Sequence, residues 1–149
     1  MSVVAIGMGV SMMDFFVRES RAVIDGPMAV VRFGTCGGLT KEAPTGSIVV
    51  ASKGSALITR HADAFAANYS ASAGGDSKVP LEEGYSLSSL APACPDLSTL
   101  VTRQLDGVAP QVVQGVNVSA DSFYSSQGRI DDNFDDCNAD LISDYVLQK

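Results

Sequence analysis

The chain has 149 residues, 46% of them hydrophobic and 18% charged, which is enough apolar material for one folded domain over residues 1–149 and excludes long-range disorder. Lys and Arg number 10 against 17 Asp and Glu, a net charge of −7, which argues against a nucleic-acid partner because modules that bind DNA or RNA carry a basic face. No apolar run approaches the about 18 residues of a membrane span, and no basic flank precedes the first apolar run. We therefore predict neither a membrane partner nor export.

The first part of the chain predicts a strand, a helix and a second strand. Residues 3–7 are rich in β-branched side chains and end at a glycine, and Ser11 with Asp14 three residues later has the pattern of a capping box. Apolar residues then recur at helical spacing until the Asp-Gly-Pro sequence at 25–27 ends the helix. A second apolar run spans residues 28–33. A connection of this length is typical of a parallel βαβ unit.

The rest of the chain predicts fewer regular elements. The pattern is weak from about residue 53 to 94, and no linker or repeat divides the chain. The predicted features, in chain order, are a strand at 47–51, a surface loop at 71–77, a helix from Pro95 to about Leu105 that Gly107 ends, a strand at 111–119 and a final helix at 138–147.

The cysteines and the single histidine argue against two kinds of catalytic site. Cys36, Cys94 and Cys137 are far apart in the sequence and form no C-x-x-C pair, so with His61 they make a poor zinc site. One histidine and no G-x-S-x-G sequence also argue against a Ser-His-Asp triad. Reduced thiols are typical of a cytoplasmic protein. We predict a cytoplasmic protein without a metal or an organic cofactor.

Two partial motifs are interpreted as structural. The Gly-Met-Gly sequence at residues 7–9 begins like a dinucleotide-binding turn, but Met12 stands where that motif has its third glycine. Residues 131–135 have the Asp-x-Asn-x-Asp spacing of a calcium loop, but Asp136 replaces the required glycine and Ile142 the final glutamate. A tight strand-to-helix turn and a solvated acidic loop explain these residues more simply.

An arginine at the end of the second apolar run is the first candidate functional residue. A buried guanidinium needs a partner, and Arg32 is followed by Gly34, Thr35, Cys36 and Gly37. The glycines allow backbone N–H groups to converge, and the Thr35 hydroxyl adds a further donor. Together these groups predict an anion pocket. The alternative is an arginine that extends from the strand end into solvent.

A second cluster follows the predicted strand at 111–119. It contains Phe123, Tyr124, Gln127 and Arg129. An aromatic ring can stack on a planar heterocycle, the amide of Gln127 offers a donor beside an acceptor, and Arg129 offers a fixed fork of donors. The alternative is a polar turn that Phe123 packs against the fold.

The two clusters, in this order, resemble the nucleoside phosphorylase family. V-R-F-G-T-C-G-G at residues 31–38 resembles the R-x-G-T-x-G phosphate segment of that family, and S-A-D-S-F-Y-S-S-Q-G-R at 119–129 resembles the F-Y-x-x-Q-x-R segment of its uridine phosphorylase branch. Residues 7–9 and the following helix match the preceding strand–glycine–helix unit. The resemblance runs through essentially the whole chain and covers about the middle half of a family member.

The resemblance implies an α/β fold with a central mixed β-sheet and flanking helices, here incomplete at both ends. It implies a homodimer or higher homo-oligomer that converts uridine and phosphate reversibly to uracil and ribose 1-phosphate, in pyrimidine salvage. Phosphate is a co-substrate, and the residues give no support for a cation at the subunit interface. Because flanking family segments have no counterpart here, we also expect unpaired strand edges that favour association. The alternative function is a non-catalytic remnant that binds phosphate or uracil weakly.

The resemblance also implies roles for individual residues. Arg32 and Thr35 hold phosphate as catalytic residues, and Thr35 lies near the ribose. Cys36 and Gly37 line the base pocket. A water-using nucleosidase of the same fold has no need of this phosphate segment, so Arg32 and Thr35 argue for a phosphorylase.

In the second segment, the resemblance implies that Phe123 packs against the base or the sugar. Gln127 and Arg129 then form hydrogen bonds with the edge of uracil. Cytosine presents a different donor and acceptor pattern at that edge, so these two residues predict a site that discriminates against it.

Overall fold

The computed structural model describes residues 1–71 and 79–147. The predicted loop at 71–77 lies, from residue 72 onwards, outside the described residues. The helices are α1 (Val10–Val23), α2 (Ala62–Ala71), α3 (Leu81–Gly84) and α4 (Pro95–Leu105), followed by a 3₁₀ turn (Ser125–Gln127) and a π-helical segment (Leu141–Val146); the strands are β1 (Ile48–Val50), β2 (Ser55–Arg60), β3 (Tyr85–Leu87), β4 (Val112–Gln114) and β5 (Asn117–Ala120).

The described strands form two sheets. One pairs β1 with β4 in parallel, and the other has the order β3-β2-β5. In the second sheet β3 is antiparallel to β2. Asn117 N donates to Gly54 O (3.0 Å) and Asp121 N donates to Ile58 O (3.1 Å). Four residues forward along β5 therefore match four residues forward along β2, so the two strands run parallel. The predicted α/β class with a mixed sheet and helices is confirmed.

The chain divides into two compact units. The first unit comprises Met1–Met13, Leu57–Ser89 and Val118–Lys149, and the second comprises Asp14–Ala56 and Leu90–Asn117. The prediction of one domain over residues 1–149 stays a prediction.

The parallel pair β1–β4 and helix α4 organise the second unit. The register places Ile48 opposite Val112 and Val50 opposite Gln114. α4 contacts β1 and begins at Pro95, where the missing N–H leaves no helical hydrogen bond unmade. The predicted strand at 47–51 and the predicted helix from Pro95 are confirmed.

The core of the first unit gathers residues that are distant in sequence. Tyr85 and Leu141 are fully buried, and Ile58 and Val146 complete the cluster. The ring of Phe65 meets that of Tyr85 edge-on, with centroids 5.8 Å apart. This core packs the sheet β3-β2-β5 against the π-helical segment Leu141–Val146. That segment lies within the final helix predicted at 138–147.

Two predicted strands near the N-terminus are wrong. Residues 3–7 and 28–33 form no strand, and Val3, Val31 and Phe33 are 90%, 57% and 84% exposed. An apolar run becomes a strand only where another strand pairs with its backbone, and no strand in the described part of the chain pairs with either run. The predicted βαβ unit is therefore wrong too, and the expected association stays a prediction.

The helix between these runs is confirmed, but its predicted cap is wrong. α1 begins at Val10, so Ser11 lies inside the helix and does not cap it. The end is as predicted, because the chain leaves the helix after Val23 and Gly26 takes a φ of +90°, a conformation that favours glycine.

The region with the weakest sequence pattern contains unpredicted structure. β2, α2, α3 and β3 all form between residues 55 and 87. The single strand predicted at 111–119 is in fact two strands, β4 and β5, which belong to different sheets and are separated by residues 115–116.

Among the described helices, none combines the length and apolar composition that crossing a membrane requires.

The buried Tyr85 predicts a pH dependence of stability. Burial, with a further contribution from the Asp136 carboxylate, raises the pKa of Tyr85 from 10.0 to about 12. Its hydroxyl donates to the backbone oxygen of Asp136 at 2.6 Å. Since the folded pKa lies above the unfolded one, the neutral hydroxyl contributes stability below pH 10 that is lost as the pH rises towards 12. We expect Tyr85→Phe to show a shallower fall in Tm across this window than the wild type, by scanning calorimetry.

The control for this experiment is Tyr124→Phe. Tyr124 is 52% exposed, so its removal is expected to leave the alkaline fall in Tm unchanged. Equal slopes for Tyr85→Phe and the wild type would contradict the assignment.

Candidate functional site

The first predicted cluster lies on an irregular segment of the second unit. Arg32, Thr35, Cys36 and Gly37 are all exposed, and the backbone around them forms neither helix nor strand. The prediction that Arg32 ends a buried strand is therefore wrong, because the run before it has no strand partner. Its guanidinium forms no ion pair within residues 1–71 and 79–147, and a Cβ placed on Gly37 would meet no atom within 4 Å. The segment is exposed to solvent, and its anion-binding role stays a prediction.

The second predicted cluster forms a compact loop in the first unit. The loop follows β5 and contains the 3₁₀ turn Ser125–Gln127. Gly128 ends this turn in the left-handed region, with φ +64°, and its N–H donates to Ser125 O at 3.1 Å. The N–H of Arg129 donates to Tyr124 O at 3.1 Å. These bonds return the chain on itself, so that residues 123 and 129 become neighbours.

The loop brings three predicted site residues together as the Phe123–Gln127–Arg129 group. The guanidinium carbon of Arg129 lies 4.4 Å from the centre of the Phe123 ring. Arg129 Nε donates to Gln127 Oε1 at 3.4 Å. All three side chains are exposed. An aromatic ring, an amide and a guanidinium therefore lie side by side on this loop, an arrangement whose chemistry suits a planar heterocycle with carbonyl and N–H groups on its edge.

Polar side chains beneath the loop fix its first half. The hydroxyl of the fully buried Ser126 donates to Asp121 Oδ1 at 2.5 Å, while the backbone N–H of Arg60 donates to Asp121 Oδ2 at 3.0 Å. Ser122 Oγ accepts from Ser126 N at 2.9 Å and lies 2.7 Å from Ser125 Oγ. Asp121 therefore ties the loop to the end of β2. The sequence analysis missed this role, although Ser and Asp directly after a strand are the signal for such local bonds.

A second missed residue fixes the other half of the loop. Asn138 is 4% exposed, and its Nδ2 donates to Ser125 O at 2.9 Å and to Arg129 O at 3.0 Å. It lies outside the recognised segment, so no motif marks it.

Residues 1–144 match the model of the phosphorylase superfamily. The chain belongs to the phosphorylase superfamily.

The chain also resembles a solved structure. That structure comes from a structural and catalytic analysis of two diverse uridine phosphorylases in the oomycete Phytophthora capsici, and it is 40% identical to this chain with a TM-score of 0.79. The match covers 96% of this chain and 51% of the solved one, so this chain spans about half the length of the relative. A comparison with curated proteins finds no match.

The other candidate residues of the sequence take no part in these two clusters. His61 and Cys94 are exposed, and Cys137 is half-buried. The acidic loop binds its own backbone, because Asp131 Oδ1 accepts from Asn133 N at 2.8 Å. Within the described residues, no group of three or more His, Cys, Asp or Glu has a metal-binding arrangement. That the protein works without a metal or organic cofactor stays a prediction.

Proposed function

We propose that the protein catalyses the reversible phosphorolysis of uridine to uracil and ribose 1-phosphate. The observation that carries this proposal is the Phe123–Gln127–Arg129 group, in which one loop presents a ring, an amide and a guanidinium. The 40% identity to a chain from the study of uridine phosphorylases supports it. The uracil edge carries both carbonyl and N–H groups, which match the donors and acceptor of Gln127 and Arg129.

The proposed chemistry gives each segment a separate task. As the N-glycosidic bond breaks, the sugar gains oxocarbenium character and the base gains negative charge. Gln127 and Arg129 stabilise the charge that spreads onto the uracil oxygens. Phosphate is already an anion and needs positioning more than deprotonation, which is the proposed task of Arg32 and Thr35. The resemblance to the family implies that Cys36 and Gly37 line the base pocket.

We further propose that the protein acts in the cytoplasm as a homodimer or higher homo-oligomer, with a role in pyrimidine salvage. The apolar side chains of Val3, Met8 and Phe33, which are 90%, 83% and 84% exposed in the single chain, support association between copies.

An assay of uracil release tests the proposed reaction. We expect any release of uracil from uridine to require phosphate and to form ribose 1-phosphate in equal amount. We expect cytidine to be cleaved far more slowly, because its amine and unprotonated ring nitrogen leave site groups unpaired. Liquid chromatography of the bases measures both results.

Three outcomes would contradict the proposal. Release without phosphate would indicate a nucleosidase. Equal rates for cytidine and uridine would contradict the roles of Gln127 and Arg129. Binding of uracil without any turnover would support the alternative, a remnant that binds phosphate or uracil and does not catalyse.

A further inference from the structure

The buried amide of Asn138 forms two hydrogen bonds to the backbone of the loop, which a residue that only filled space would not form. Its Nδ2 donates both of its hydrogens, one to Ser125 O at 2.9 Å and one to Arg129 O at 3.0 Å. These two carbonyls belong to the two ends of the segment that contains Gln127. We infer that Asn138 is a positioning residue that sets where Gln127 and Arg129 meet the base, an inference that rests on the proposed function.

The chemistry of the bond pair restricts what can stand at position 138. Two backbone carbonyls that converge on one point require a group with two N–H donors on a single atom, which an asparagine amide supplies. A carboxylate of the same shape has only acceptors and would face both carbonyls. An alanine would remove the Asn138 donor from both carbonyls: Ser125 O would keep only the N–H of Gly128, at 3.1 Å, and the half-buried Arg129 O would lose the amide that satisfies it.

The position of Asn138 is itself fixed by the core of the first unit. Leu141 is fully buried, and its N–H donates to Asn138 O at 3.1 Å. A Cβ on Gly128 would lie 2.9 Å from Ile142 Cγ1, so the turn packs closely on the same segment. The buried segment after residue 138 thus holds Asn138, and Asn138 holds the loop that carries Gln127 and Arg129.

This arrangement predicts an effect on one substrate and not on the other. Phosphate is assigned to Arg32 and Thr35, which lie on a different segment and in the second unit. A loop that loses its clamp is expected to bind the base less well while phosphate binding is retained. A variant that merely folds less completely would instead lower the active fraction and leave both KM values unchanged.

The test compares Asn138→Ala and Asn138→Asp with the wild type. We expect the KM for uridine to rise roughly tenfold or more, as the loss of two hydrogen bonds to one amide implies. We expect the KM for phosphate to stay the same and the calorimetric Kd for uracil to rise by the same factor as the KM for uridine. Asn138→Ser, which keeps one donor, is expected to lie between the wild type and Asn138→Ala, and it serves as the test variant if alanine prevents folding.

The matched control is Asn133→Ala. Asn133 is exposed in the same part of the chain, and its amide donates to Asp131 Oδ1 at 3.1 Å. Trypsin cleaves after arginine, so the Arg129–Ile130 bond reports on the loop directly. We expect faster cleavage there in Asn138→Ala and an unchanged rate in Asn133→Ala, measured by mass spectrometry.

The outcomes separate this inference from the proposed function. A wild-type chain that neither binds uracil nor cleaves uridine overturns the proposed function. A wild type that binds uracil, with Asn138→Ala binding it equally tightly, overturns only the positioning role. Equal tryptic cleavage in Asn138→Ala and the wild type also overturns the positioning role, and so does an equal rise in both KM values.

Discussion

Alanine in place of Arg32 is expected to lower kcat/KM for phosphate by a factor on the order of 10²–10³, the range typical of removing one hydrogen-bond donor from an oxyanion hole. The guanidinium forms no ion pair in the described part of the chain, so its charge is available to an anion. The KM for uridine is expected to change much less. Initial rates over a phosphate series, with calorimetric titration of phosphate, measure the effect in catalysis and in binding.

Two further variants sharpen this result. Arg32→Lys keeps the charge but loses the planar fork, so an intermediate loss is expected. Arg18→Ala is the matched control, because Arg18 is an exposed arginine of α1 whose Nε lies 2.9 Å from Asp14, and such surface pairs contribute little. If Arg32→Ala and Arg18→Ala bind phosphate equally well, Arg32 is not the phosphate ligand.

Alanine in place of Arg129 is expected to lower kcat/KM for uridine by a similar factor, on the order of 10²–10³, since it removes charge stabilisation from the departing base. The loss has two physical parts. The donor fork to the base is gone, and Gln127 loses the 3.4 Å bond from Arg129 Nε. We expect the KM for phosphate to be unchanged and the preference for uridine over cytidine to shrink, as initial rates with each nucleoside will show.

The control for this variant is Arg103→Ala, an exposed arginine in the last turn of α4. Arg129→Lys retains a positive charge without the fork, and we expect it to recover only part of the loss. An Arg129→Ala protein that keeps its uridine preference and its kcat/KM would show that another residue recognises the base.

The elements that the sequence predicted correctly are those with local signals. α4 begins at Pro95 and is followed by Gly107 with φ +72°, and both residues act through their own backbone. The end of α1 before Gly26 has the same origin. Such signals need no knowledge of what lies elsewhere in the fold.

The errors concern contacts between distant parts of the chain. The apolar runs at 3–7 and 28–33 have strand composition but no strand partner, whereas β2 and β3 pair across more than twenty residues of weak pattern. In β2 only Ala56 and Ile58 are buried. Two alternating buried positions are too few to predict a strand from the sequence pattern. Pairing partners decide strand formation, and one sequence does not reveal them.

At the candidate site, too, residues that are close in sequence were predicted and a residue that is distant in sequence was missed. Phe123, Gln127 and Arg129 are close in sequence, so a motif was enough to predict them as a group. Asn138 reaches the same loop from nine residues beyond Arg129, and only the folded chain shows that its amide meets two carbonyls. The roles of Arg32 and Thr35 rest on the motif, because the segment around them forms no regular element.

The stacking of Arg129 on Phe123 has a thermodynamic consequence for ligand binding. A free arginine side chain has about 2 kcal/mol of rotamer entropy to lose when it is immobilised. Here the ring, 4.4 Å from the guanidinium carbon, and the Gln127 oxygen already restrict its rotamers before any base arrives. Much of this ordering therefore takes place during folding, and the entropy lost by Arg129 when a ligand binds is correspondingly smaller.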